Sequence, residues 1–122
     1  ASVTPRGMRL AARYGETWVT TGDRKREGLG AVEGARSVAA QVARLEVACA
    51  AAGRDPKTLA RMVVCGVGLR EGLESIESFR ETLGRYAETG VTDLVVHWPR
   101  DSAPYAGDLV QFERVISAVR AA

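Results

Sequence analysis

The feature that most narrows the fold of this chain is an alternation. Short runs of β-branched and aromatic residues are separated by longer stretches in which apolar residues recur every three or four positions. Residues 17–21, with Trp18 and Val19, read as a first strand. Met62, Val63, Val64 and Cys65 form a continuous apolar run flanked by Gly66 and Gly68, the pattern of a second strand buried on both faces. Residues 94–98 read as a third strand, stopped by Pro99.

The intervening stretches carry helix signals. Thr4 can cap a short helix, Pro5 suits its first position and Gly15 ends it. From Ala35, the positions Val38, Val42, Leu45, Cys49 and Ala52 lie on one stripe of a long helix that Gly53 and Pro56 stop. Ser75 caps a third helix, whose stripe is Ile76, Phe79, Leu83 and Tyr86 and whose end is Gly90. Asp108 and Gln111 have the spacing of a capping box and open a last helix through Phe112, Val115 and Val119. Residues 22–30 are polar and glycine-bearing, hence a loop.

Strands separated by helical crossovers imply an α/β fold of parallel βαβ units. Three strands make a thin sheet, and the run at Met62 to Cys65 wants neighbours on both sides. A (β/α)8 barrel of about 250 residues spends roughly 31 on each unit. At that rate the 122 residues here correspond to about four units, and the chain opens at what reads as the end of a strand.

Charge and composition exclude several classes. The 17 basic residues are interleaved with 15 acids, and the densest basic stretch, Arg24-Lys25-Arg26, is bracketed by Asp23 and Glu27. This argues against a phosphate-tracking surface for nucleic acid. A single histidine, His97, and no Cys-x-x-Cys spacing leave no metal site to build. Cys49 and Cys65 sit among apolar neighbours and read as small hydrophobes rather than a disulfide. No apolar run has the length of a membrane span, and the N-terminus lacks the basic and apolar regions of a signal peptide, so a cytoplasmic location is expected.

Three segments together resemble a known family. Arg9-Leu10-Ala11-Ala12-Arg13-Tyr14-Gly15-Glu16-Thr17-Trp18, then Gly53-Arg54-Asp55-Pro56, then Gly90-Val91-Thr92-Asp93-Leu94-Val95-Val96 resemble, in order and spacing, the C-terminal part of the luciferase-like monooxygenase superfamily. The resemblance covers nearly the whole chain, with Glu16 where the family usually has aspartate. It implies that residues 1–122 are the last three strands and flanking helices of a TIM-type barrel, as one domain or a piece of one. It further implies an oxidoreductase that uses reduced FMN or coenzyme F-420 on a small-molecule substrate. The earlier strands carry most of the ring-binding residues in that family, so the isolated chain is expected to be inactive.

The resemblance also assigns candidate site residues. Ser2, Thr4, Arg6 and Gly7 fall where the family runs from a small-residue strand end into a helix that holds the cofactor phosphate, with Thr4 where glycine is more usual. The chemistry suits an anion, since a helix start supplies unpaired N–H donors and a positive dipole; an ordinary capped helix fits the same residues. His97 and Trp98 fall at the end of the last strand, where a barrel builds its active site and binds substrate. Strand alternation allows only one of the two to point inward. Trp18 reads as packing, and Arg100 as solvated.

Two other readings stand beside this one. The chain can be a small non-catalytic α/β domain that associates with itself or a partner, or a piece of an unrelated half-barrel or doubly wound enzyme. Gly28-Leu29-Gly30 lacks the third glycine of a dinucleotide-binding loop. In any of these cases, a thin sheet with an apolar central strand is expected to self-associate through uncovered edges and faces.

Overall fold

The computed structural model describes residues 3–120. Helix α1 (Pro5–Tyr14) is followed by strand β1 (Thr17–Thr20), helix α2 (Ala31–Ala51), a 3-10 turn (Pro56–Thr58) and strand β2 (Ala60–Val64). Helix α3 (Ile76–Glu88), strand β3 (Asp93–Val95) and helix α4 (Leu109–Arg120) complete the chain. The strands form one parallel sheet in the order β1-β2-β3, with Thr20 beside Val63 and Val63 beside Leu94. The fold is therefore α/β, with a three-stranded parallel sheet flanked by helices. Among the described residues, no helix is long and apolar enough to cross a membrane.

Alternation along the strands decides which face is covered. Trp18, Thr20, Arg61 and Val63 point to one face and are buried there, Trp18 at 1% exposure. They meet Val38, Val42 and Leu45 of α2 and Tyr86 of α3 in one core, with Met8 and Ala12 of α1 at its side. Each helix contacts the next in chain order, α1 with α2, α2 with α3 and α3 with α4, so the helices form a single layer. The opposite face carries Val19, Met62 and Val64, with Val19 at 36% exposure and the other two half-buried. The expectation that β2 is buried on both faces is thereby corrected. Its apolar run covers itself with helices on one side only, because crossovers that step steadily from β1 to β3 put every helix on the same side.

Two boundaries and one cap also differ from the sequence reading. Helix α2 begins at Ala31, not Ala35, and takes in Gly34, where a side chain would collide with the Tyr86 hydroxyl. The third strand pairs only over Asp93–Val95, so His97 and Trp98 lie in the loop beyond it. Asp108 does accept the Gln111 N–H (3.1 Å), but the Gln111 side chain does not complete a capping box; it donates to the Glu74 carbonyl (3.1 Å) and ties α4 to the preceding loop.

Buried polar groups fasten the two ends of the sheet. At its C-terminal end, Thr20 donates to Gln41 Oε1 (2.6 Å) and accepts the Gly22 N–H (3.0 Å), while Gln41 donates to the Gly22 carbonyl (3.1 Å). At the other end, Arg61 pairs with Glu46 (3.3 Å) and donates to the Pro56 carbonyl (3.0 Å). Arg54 donates to the carbonyls of Ala11, Ala12 and Gly15, the shortest at 2.6 Å, and so closes the C-terminus of α1. Arg54→Ala leaves those acceptors without this partner and is expected to lower stability by about 1–3 kcal/mol in urea denaturation. The Tyr86 hydroxyl is buried and has no hydrogen-bond partner among the described residues, and burial pushes its pKa up. Tyr86→Phe is expected to leave stability unchanged or to raise it by about 1 kcal/mol in the same assay.

Candidate functional site

Three loops leave the C-terminal ends of the strands, and they are laced together. The loop after β1 pairs with the loop after β2 through Gly28 N–H to the Val67 carbonyl (2.9 Å), Leu29 N–H to Gly68 (3.0 Å) and Arg70 N–H to Leu29 (2.8 Å). Leu29 and Leu69 are buried beneath this ladder. The loop after β3 folds over the other side: Arg100 N–H donates to the Tyr105 carbonyl (2.8 Å) and Gly107 N–H returns to Arg100 (3.1 Å). A rigid rim of this kind can hold side chains in fixed positions at the sheet end.

His97 stands where these loops meet. A cleft of about 440 Å³ opens between the loops after β2 and β3, lined by Glu71, His97, Tyr105, Asp108, Gln111 and Phe112. A second hollow of about 350 Å³ reaches from Gly66, His97 and Tyr105 toward Asp23, Arg24 and Arg26 after β1. The His97 ring stacks on Tyr105 with centroids 4.0 Å apart and planes inclined by 27°. Gly66 permits this, since a Cβ there would stand 3.1 Å from His97 Nε2 and 3.3 Å from the Tyr105 ring. The His97 backbone N–H donates to Glu71 Oε2 at 3.3 Å.

The electrostatics favour proton exchange over anion binding. Burial pushes the Glu71 carboxyl above its ordinary pKa, partly offset by the His97 N–H and the imidazole charge. The Cys65 thiol behind it is pushed up to about 12 by burial and by Glu71, which keeps it neutral. Glu71, Glu74 and Asp108 outnumber Arg70 in the cleft lining, so the cleft itself is unsuited to a phosphate. A half-buried carboxyl that accepts a backbone N–H and opens on a cleft that the His97 ring also lines is an arrangement able to take up and release a proton.

The sequence-assigned residues do not converge on one cavity. His97 lines both hollows, whereas Trp98 is 61% exposed, lies outside the lining of the cleft and stands edge-on to Phe112 of α4 at 5.3 Å. Ser2 lies outside the described residues. Thr4 caps α1, its hydroxyl accepting the Gly7 N–H at 3.0 Å. Arg6 is exposed and lines a groove between α1 and α2, away from His97. For a cofactor phosphate the fit is one of charge and not of donors. Arg6 and the helix start offer positive charge, but the Gly7 N–H is already taken up and Pro5 has none. Glu71 and Tyr105 were missed by sequence reading. Glu71 follows β2 closely enough for its loop position to have flagged it, whereas Tyr105 carries no spacing signal.

Comparison with protein-family models, with curated proteins and with solved structures finds no match to this chain.

The raised Glu71 pKa has a stability consequence. With the folded value above the unfolded one, the unfolded chain releases the proton first as pH rises, so the group costs stability from the ordinary carboxylate range upward. Glu71→Gln is expected to raise stability at pH 7, with the gain vanishing as pH falls below that range, in urea titrations at several pH values. Both cysteines are free and buried. A thiol-specific disulfide reagent is expected to label neither in the native protein and both after denaturation.

Proposed function

We propose that the chain is the C-terminal part of a luciferase-like (β/α)8-barrel oxidoreductase that uses reduced FMN or coenzyme F-420 on a small-molecule substrate. The observation that carries this reading is the one-sided sheet. Strands in the order β1-β2-β3, a single layer of helices and a bare face of Val19, Met62, Val64 and Val95 have the form of an arc of a barrel wall. A doubly wound sheet carries helices on both faces. In a barrel the bare face turns inward and is filled by layers of side chains from the other strands. Active sites of barrels lie at the C-terminal ends of the strands, where His97 and Glu71 meet.

In that enzyme the bound flavin or deazaflavin supplies the electron pair. This chain's residues orient and protonate. His97, fixed by Tyr105 and Glu71, hydrogen-bonds the substrate through its ring; Glu71 holds or releases a proton in the cleft; Trp98 and Phe112 form an apolar rim. Arg6, exposed at the start of α1, would offer positive charge to a cofactor phosphate. The buried, unpaired thiols of Cys49 and Cys65 accord with a reducing cytoplasm. The bare face equally supports the second reading, a small non-catalytic domain that docks a partner there, and cofactor binding discriminates the two.

Fluorescence titration of this chain with reduced FMN or F-420 is expected to give no micromolar binding, because ring positioning needs groups from several strands. A protein that includes a full set of eight strands is expected to bind, and His97→Ala or Glu71→Gln in it to lower kcat on the order of 10²-fold. Micromolar binding by the 122-residue chain alone overturns the fragment reading. Failure of the eight-stranded protein to bind either cofactor favours the docking domain.

A further inference from the structure

Helix α1 is one-signed, and it places Arg6 in the first turn, where the dipole disfavours positive charge. It carries Arg6, Arg9 and Arg13 and no acid, and its first turn, where the dipole favours negative charge, has none. Together with Arg44 of α2, these arginines flank a groove of about 550 Å³ between α1 and α2 and its smaller continuation toward Val47. The groove floor is Ala48 and Ala51. Among the described residues, none of the four arginines enters an ion pair with an acid. Charge density along the sequence points instead to Arg24-Lys25-Arg26, which is bracketed by acids; the lining of this groove carries basic residues and no acid.

A complementary ridge lies on the same molecule. On α3 the side opposite the buried Phe79, Thr82 and Tyr86 carries Glu77, Glu81 and Glu88, with Gly84 between them. Glu77 and Glu81 are four residues apart, as are Arg9 and Arg13, so two helices laid side by side can pair both at once. Gly84 lowers the ridge and allows a close approach to the alanine floor. Arg85 holds Glu81 in an exposed pair at 2.9 Å, which is weak enough to exchange partners. A lipid surface is flat and a nucleic acid is a continuous polyanion, whereas this groove is concave, apolar at its base and about 15 Å long, the length of the ten residues of α1. We infer that the groove between α1 and α2 seats helix α3 of a second copy of this chain, in a head-to-tail contact separate from the bare sheet face.

Sedimentation of the full chain at low ionic strength tests this directly. The wild type is expected to associate with concentration, and molar salt to remove that component. Arg9→Glu/Arg13→Glu and Glu77→Arg/Glu81→Arg alter exposed residues only, and each alone is expected to weaken association roughly tenfold. An equimolar mixture of the two variants is expected to regain it, because each restores opposite charges across both contacts. Circular dichroism confirms that both remain folded. The inference is overturned if the mixture fails to associate, or if association is lost in Met62→Lys and unchanged in both charge variants, which assigns it to the sheet face. It is also overturned if phosphatidylserine vesicles or duplex DNA bind the wild type and not Arg9→Glu/Arg13→Glu while self-association is the same in both.

Discussion

Burial of one face of the sheet against α2 holds the rest of this molecule in place. Trp18, Thr20 and Val63 meet Val38, Val42 and Leu45 there, and the packing fixes the side to which every alternate strand residue points. Register then follows without further choice, since a slip by one residue would expose the tryptophan and bury Val19 and Met62 instead. The polar contacts on the same face act as pins. Gln41 and Thr20 set where β1 ends, and Arg61, reaching Glu46 and the Pro56 carbonyl, sets where β2 begins.

That register is what brings chemistry to the sheet end. Asp93 and Val95 share the bare face with Met62 and Val64, and in the loop beyond β3 His97 stacks on Tyr105 while Trp98 stands against Phe112. Gly66, two residues past Val64, then leaves the space into which His97 and Tyr105 stack. Glu71 is drawn into the same corner by the loop that Leu69 anchors. The candidate site is thus a by-product of strand geometry and loop anchoring rather than of any local motif.

The segments that carry the family resemblance serve the framework in this chain. Arg54, from the Gly53-Arg54-Asp55-Pro56 stretch, closes α1 at the carbonyls of Ala11, Ala12 and Gly15, so two of the resembling segments meet in space. Asp55 caps the 3-10 turn that Pro56 begins. In the third segment, Thr92 accepts the Arg61 N–H and its own N–H donates to the Arg61 carbonyl, joining β3 to β2. Motifs of this kind report how a chain is built, and they say less about what it binds.

The amino-acid sequence by itself determined the order of elements, the parallel α/β class, most helix caps and the burial of both cysteines. Each of these follows from local propensity or periodicity, which neighbours in the chain already contain. It placed His97 within the third strand, whereas β3 ends at Val95 and His97 lies in the loop that follows. Only the tertiary structure decided that β2 is covered on one face, that Gly34 belongs inside α2 and that Glu71 and Tyr105 join His97. Most of these depend on groups far apart in the chain, as with His97 and Glu71, 26 residues apart, or Gly34 and Tyr86. No periodicity within a single segment encodes contacts at that separation; they exist only once the sheet has chosen the face it buries.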